Sequence, residues 1–339
     1  MARDLLCATD RGIWCEAGDF YIDPWKPVSR AIITHAHGDH ARYGSERYLC
    51  ASAGYRVLRR RLSDEANIET LDYGKALTIN GVQVSLHPAG HILGSAQVRV
   101  ERQGQVAVAS GDYKTEADPT CTPFEPVKCH TFITESTFGL PIYRWPKQED
   151  VFAEINDWWR KNQSEGKASL LMGYALGKAQ RALSGLDRSI GPIFLHGAVQ
   201  GLTEDYRAHG VDLPATQNVF QMDPKFDWSQ AIIIAPPSAN GTPWVRRFGD
   251  HSTAFLSGWM AIRGARRRRA VDRGFVLSDH VDWASLMSAI QATGAEKVLV
   301  THGYSDTVVR YLSEQGMDAK VLHTEYEGEQ DDPSAEEGD

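Results

Sequence analysis

The sequence predicts an α/β protein: a layered sheet scaffold interrupted by a second, smaller strand–helix unit. Three observations carry that expectation. Short apolar runs joined by tight turns fill the first third of the 339 residues. From about residue 145 to 270, strands and helices alternate, which is the pattern of a small α/β unit. After 271 strand-like runs resume, and each leads directly to a histidine. The expected division is residues 1–144 with 271–324 as one discontinuous domain and 145–270 as an insert.

In chain order, Trp14–Ala17 and Phe20–Asp23 are short apolar runs separated by Gly18-Asp19. Arg30-Ala31-Ile32-Ile33 reads as a buried strand, and Ala53 to Leu62 has helical spacing. Asn80-Gly81 joins Ala76–Ile79 to Val82–Leu86, and Gln103-Gly104 joins Gln97–Glu101 to Val106–Ala109, so both pairs read as hairpins. The texture changes at Pro141–Pro146. Glu149–Lys161 reads as a helix, Ser169–Met172 as a strand, and the glycine-flanked Gly173–Lys178 as a turn into a helix over Ala179–Leu186. Pro192–Leu195 and Ala231–Ala235 continue the alternation; Gly274–Ser278 and Lys297–Thr301 are the strands that resume.

Composition excludes some classes of function. No run approaches the roughly 18 apolar residues of a membrane span, and the N-terminus lacks the long apolar region of a signal peptide. Five cysteines with no CxxC pair give no disulfide framework, so a reducing cytoplasm is expected. The net charge of −8 resides in the tail: eight of the 44 acids fall in Glu325–Asp339, leaving 36 against 36 bases. That tail is expected to be disordered and solubilising. The Arg266–Arg269 run is either a solvated face or a track for a single strand's backbone.

The chemistry concentrates in Thr34-His35-Ala36-His37-Gly38-Asp39-His40. His35 and His37 are two apart, so in extended backbone both point the same way and can grip one ion. Asp39 and His40 follow where the chain is expected to enter a helix, which re-aims them at a second position. Imidazole and carboxylate donors suit zinc, manganese or iron. His91, Asp112, His280 and His302 stand at other strand ends, an inventory sufficient for two metals sharing a carboxylate. A pair of cations makes a nucleophile from water at neutral pH and neutralises charge that gathers at the reacting centre. A histidine poised near neutrality can protonate the leaving oxygen.

The ordered motifs His35–His40, Gly90-His91 and Ser110-Gly111-Asp112 resemble the metallo-β-lactamase superfamily. Glu135–Gly139, Gly177-Lys178-Ala179-Gln180, Ser278–Asp282 and Thr301-His302-Gly303 resemble its β-CASP nuclease branch, over about residues 20–310. Size and motif wording are most similar to the bacterial exonucleases associated with DNA ligase and Lhr helicase. The resemblance implies a metallo-β-lactamase αβ/βα sandwich with an inserted β-CASP α/β domain. It implies two divalent ions, zinc or manganese, one on His35, His37 and His91 and the other on Asp39, His40 and His302, bridged by Asp112. Asp23 would orient a histidine ligand, His280 would be the general acid with Glu135 holding its ring, and Asp39 counts among the catalytic residues. Ser136, Thr137 and Lys178 would receive a 5′ terminal phosphate. The implied function is a DNA exonuclease, 5′-to-3′, acting in repair on single strands or ends beside a DNA ligase and an Lhr-type helicase. Glu135 and His302 also match RNA-processing members, so a β-CASP ribonuclease is the alternative.

Overall fold

The computed structural model describes residues 4–223, 225–262 and 271–326. The Arg266–Arg269 run and the tail beyond Tyr326 lie outside the described residues. The chain divides into two compact units. One runs through Tyr143 and resumes at His280; the other is Arg144–Asp279.

The first unit opens with β1 (Cys7–Ala8), β2 (Ile13–Cys15), β3 (Phe20–Ile22), β4 (Ala31–Ile32), β5 (Tyr48–Ala51) and β6 (Ile68–Leu71), one sheet in that order. Pairing is antiparallel up to β3 and parallel from there on. Because β3 and β4 run side by side in parallel, Asp23 and the histidine cluster emerge from the same edge. Helix α1 (Tyr55–Leu62) packs along β6 and buries Val57, Leu58 and Leu62.

Strands β7 (Ala76–Ile79), β8 (Val82–Pro88), β9 (Ala96–Arg102) and β10 (Gln105–Ala109) form an antiparallel meander, and β11 (Thr131–Ser136) joins β10 in parallel. The meander's tight turns have positive φ at both central residues, 47° and 78° at Asn80-Gly81 and 52° and 78° at Gln103-Gly104. This is the twist that matches flanking strands.

The second unit follows: α2 (Gln148–Ser164), β12 (Ala168–Met172), α3 (Lys178–Ser184), β13 (Ile193–Leu195), α4 (Gly197–Ala208), β14 (Gln217–Asn218), β15 (Ile232–Ala235), β16 (His251–Leu256) and β17 (Arg273–Phe275). Its sheet has the order β14-β13-β15-β12-β16-β17 and every pairing is parallel. The central strands β12 and β15 are buried along their whole length, which is why they are unbroken apolar runs.

Back in the first unit, α5 (Trp283–Thr293), β18 (Lys297–Gly303), α6 (Ser305–Glu314) and β19 (Asp318–Val321) complete a seven-stranded sheet, β19-β18-β11-β10-β9-β8-β7. The period-2 alternation sorts its side chains. Ala107, Ala109, Ile133 and Leu299 join Ile22, Ile32 and Leu49 of the first sheet in one core. Val108, Phe132, Val298 and Val300 pack instead with Leu286, Ile290, Val308 and Leu312 of α5 and α6. The layers are therefore helix, sheet, sheet, helix: an αβ/βα sandwich, with the parallel α/β unit inserted between β11 and α5.

Three local expectations are corrected. Asp39 and His40 do not start a helix: His37 O accepts from His40 N at 3.2 Å and Ala41 N at 2.8 Å, and the chain makes one turn only. The strand expected to reach Ser278 stops at Phe275, so irregular backbone carries the chain to His280. Disorder from Glu325 onward does not hold for Tyr326, which is 8% exposed because its ring packs into the first unit's core.

Candidate metal centre

The edge where β3 and β4 end fixes the first set of side chains. Asp23, held at φ 42°, accepts hydrogen bonds from Thr34 N at 2.7 Å and Thr34 Oγ1 at 2.5 Å. Its Oδ2 also lies 2.8 Å from Nδ1 of His40. Thr34 Oγ1, its own proton given to Asp23, lies 3.0 Å from Nδ1 of His35 and so must accept there. The same device recurs at β18, where Thr301 Oγ1 donates to Thr134 O at 3.2 Å and lies 3.1 Å from Nδ1 of His302. In all three rings Nδ1 therefore carries a hydrogen, and Nε2 is the atom left to present a lone pair, in His40 once its second proton is displaced.

Those lone pairs are the decisive feature. Nε2 of His35, His40 and His302 and Oδ1 of Asp112 are buried and have no hydrogen-bond partner among the described residues. Orphaned buried acceptors are costly, and a cation resolves all four together. Among the described residues four groups have donor atoms within 4.8 Å of one another; besides Asp23 with His35 and His40, and Asp112 with Glu135 and His280, they are His35, His37, His91 and Asp112 on one side and His40, Asp112 and His302 on the other. Asp112 divides its carboxylate between them. Oδ2 is 3.6 Å from His35 and 3.9 Å from His91, while Oδ1 is 3.6 Å from His40 and 3.2 Å from His302. Asp39 adds a carboxylate 3.6 Å from Nε2 of His40, on the second group's side. The residues present fit divalent metal ions, which imidazole and carboxylate donors suit.

Electrostatics follow from this crowding. Burial, reinforced by His40, pushes His35 well below the usual imidazole range, so it is a neutral donor. Burial works against a charged His40 too, but Asp39, Asp112 and Asp23 outweigh it and lift the ring to about 10. Asp112 would be raised by burial, yet His40 and His302 hold it well below the usual carboxylate range. Asp39 is likewise lowered, the pull of His40 overcoming desolvation.

Beside this cluster, Nδ1 of His280 lies 2.8 Å from Glu135 Oε2 and 3.0 Å from Oε1. Glu135 Oε1 also accepts from Tyr113 N at 2.8 Å, which fixes the carboxylate. His91 and His280 have ring centroids 4.8 Å apart, so the pair adjoins the first donor group. Gly111, at φ +58°, lets the turn before Asp112 lie against Thr34: a Cβ there would stand 2.6 Å from the Thr34 side chain. Of the expected phosphate residues, Ser136 donates to the carbonyl of His302 at 2.7 Å. Thr137 Oγ1 is buried with no hydrogen-bond partner among the described residues. Lys178 belongs to the second unit, where it opens α3, 3.9 Å from Asp279 and over the Tyr174 ring.

Sequence reasoning missed Thr34, Thr301 and Tyr326. The repeated dipeptide Thr-His at 34–35 and 301–302 was the available signal for the first two. Tyr326 stacks on His40 at 4.3 Å between centroids, and its hydroxyl donates to Asp23 O at 3.1 Å. Nothing in its acidic surroundings announces that role.

No family model matches the chain. A protein named probable DNA ligase in Opitutus terrae is 30% identical over 316 residues, covering 92% of this chain and 30% of that protein. An endoribonuclease, YSH1, of Kluyveromyces lactis is 34% identical over 73% of this chain and 40% of that protein. The cleavage and polyadenylation specificity factor 73 of Drosophila melanogaster is 33% identical over 51% of this chain and 26% of that protein. The chain thus spans well under half the length of these curated relatives. A crystal structure of an Enterococcus faecalis protein of unknown function aligns with a TM-score of 0.53 at 11% identity, over 80% of this chain and 74% of that one, a likeness of fold.

Proposed function

Since this chain belongs to the β-CASP branch of the metallo-β-lactamase superfamily, we propose that it is a metal-dependent phosphodiesterase that digests DNA from a free end. The observation that carries the reading is the pair of donor groups sharing Asp112, with the His280–Glu135 pair beside them. His35, His37 and His91 would hold one divalent ion, Asp39, His40 and His302 the other, and Asp112 would serve both. When bound, such ions acidify a water and neutralise charge gathering on phosphorus. The protein's own task is orientation and proton supply. Asp23, Thr34 and Thr301 fix three imidazoles in the tautomer that presents Nε2 inward. Glu135 takes the Nδ1 hydrogen of His280, so the proton for the leaving oxygen comes from Nε2.

DNA is favoured over RNA by one comparison. The relative named a DNA ligase matches 92% of this chain, against 73% and 51% for the RNA-processing relatives. A segment like this one inside a ligase-named chain fits trimming of ends that are then sealed. A ligase, and the Lhr-type helicase that the sequence motifs imply, would act on the same ends in repair. The unpartnered hydroxyl of Thr137 supports capture of a terminal phosphate, with Ser136 and Lys178 as the further donors the motifs imply. Fixing a 5′ phosphate makes productive binding depend on an end, and digestion would then run 5′-to-3′. The RNA-processing relatives favour a second reading, a β-CASP ribonuclease. End-labelled linear and circular single-stranded DNA, each beside RNA of the same sequence, test both. Digestion of the linear DNA with the circle intact is expected; rapid cutting of the circle, or a strong RNA preference, would overturn the DNA exonuclease.

A further inference from the structure

We infer that the carboxyl edge of the second unit's sheet carries a stacking platform for the unpaired bases of a single-stranded nucleic acid, built from His196, Phe220, Trp244 and Arg247. The inference concerns binding alone and goes beyond the metal centre. It starts from topology. Strands β14, β13 and β15 are neighbours and all parallel, so their carboxyl ends open on one edge, where ligands of open parallel sheets bind. His196 follows β13 directly, Phe220 lies in the short turn after β14, and Trp244 and Arg247 lie in the turn Pro243–Phe248 after β15.

At that edge the aromatic rings lie together, Phe220 exposed and His196 and Trp244 half-buried. Phe220 is 61% exposed, a large apolar ring left in water. The Arg247 guanidinium stands 4.9 Å from its centroid and 5.8 Å from that of Trp244. His196 meets Trp244 edge-on at 4.7 Å. The set is held in place beforehand. Asn218 accepts from Phe220 N at 2.9 Å, His196 accepts from Ala198 N at 3.1 Å to cap α4, and Trp244 packs edge-on against buried Phe248 at 4.8 Å. The segments at this edge, residues 196–202, 217–222 and 236–249, contain Arg246 and Arg247, and Glu204, Asp223 and Asp250 lie just beyond their ends.

One exposed ring, a half-buried indole and two arginines side by side match what an unpaired strand offers: base faces that stack and phosphates that need positive charge. A duplex keeps its base faces covered and gains only the charge. An apolar protein partner would call for a continuous apolar surface, and here the exposed ring, Phe220, is next to the Arg247 guanidinium.

The test uses the full chain with His280→Ala, so that the strand stays intact, and anisotropy of a fluorescein-labelled oligothymidylate. Adding Phe220→Ala should weaken binding about tenfold, within the usual worth of one stacked base. Adding Arg247→Gln should lower the slope of log affinity against log salt by about one. Binding of a duplex of equal length should not change with Phe220→Ala. In the chain that keeps His280, both substitutions should leave hydrolysis of bis(4-nitrophenyl) phosphate unaltered, which shows an intact fold. Oligothymidylate affinity that survives the double substitution would overturn the proposal, as would equal weakening for the duplex or an unlabelled protein competing for the same patch in place of the strand. A parent chain inert toward the small diester would instead count against the phosphodiesterase reading and leave the binding result standing.

Discussion

Glu135 embraces Nδ1 of His280 with both carboxylate oxygens, at 2.8 Å and 3.0 Å, while Asp112 stands 4.0 Å from the same nitrogen. The nearer carboxylate accepts the Nδ1 hydrogen and aims the ring, which leaves Nε2 as the atom that would give the proton in the proposed acid role. His280→Ala should therefore keep its metal content and lose about 10²–10⁴-fold in hydrolysis of DNA, the usual worth of a positioned acid. A diester with a 4-nitrophenolate leaving group should recover part of that loss. If His280→Ala loses an ion, the roles given to His280 and His302 must be exchanged.

His40 supplies a pH prediction. In the metal-free chain its ring is lifted to about 10, so an ion binding there must displace a proton. Affinity at that position should rise about tenfold per pH unit from neutrality toward pH 10, and then level off. For the metal-free fold the sign is the reverse. A raised pKa contributes stability in full below the unfolded value and loses it as pH climbs through about 10. Chelator competition follows the first trend and thermal unfolding in EDTA the second. A flat affinity profile across this range would contradict the assignment of His40 as a ligand.

Tyr326 gives a prediction outside the ligand set. Its ring covers His40 at 4.3 Å and meets His302 edge-on at 5.8 Å. Tyr326→Ala should destabilise the chain by about 3–5 kcal/mol, as aromatic-to-alanine changes in cores do, and should loosen the ion held by His40. Tyr326→Phe keeps the ring and loses only the hydrogen bonds to Ile22 O and Asp23 O, so its metal content should match the parent's. Equal metal loss in both variants would mean that the hydroxyl matters and the ring does not.

End recognition can be separated from chemistry. Thr137→Val removes a buried hydroxyl that has no hydrogen-bond partner among the described residues, so stability should change little. The preference for 5′-phosphate over 5′-hydroxyl ends should nevertheless shrink, with the metals retained, and Lys178→Ala should act in the same direction. An unchanged preference in both variants would place phosphate recognition elsewhere.

The sequence made the scaffold legible where one periodicity ruled a segment. Alternation in β8 to β10 and the Asn80-Gly81 turn specify a meander without help from distant residues, and the unbroken apolar β12 and β15 announce strands covered on both faces. The histidines were legible because their density has no other ready use. What depended on distant partners was not. A helix is expected to start at Asp39 and His40, but the chain makes one turn only, closed by His37 O. Thr34 and Thr301 act through hydroxyl orientation, which no spacing encodes. Tyr326 is buried by residues some 300 positions earlier in the chain, while its neighbours in sequence are acidic.

The central claim is a dinuclear centre divided by one carboxylate, and metal analysis of the purified chain tests it most directly. Two divalent ions per chain are predicted for the parent. Asp112→Ala, which removes the carboxylate facing both donor groups, should lower that number and abolish hydrolysis. A parent chain that binds no ions, or an Asp112→Ala chain that keeps both and remains fully active, would contradict the account.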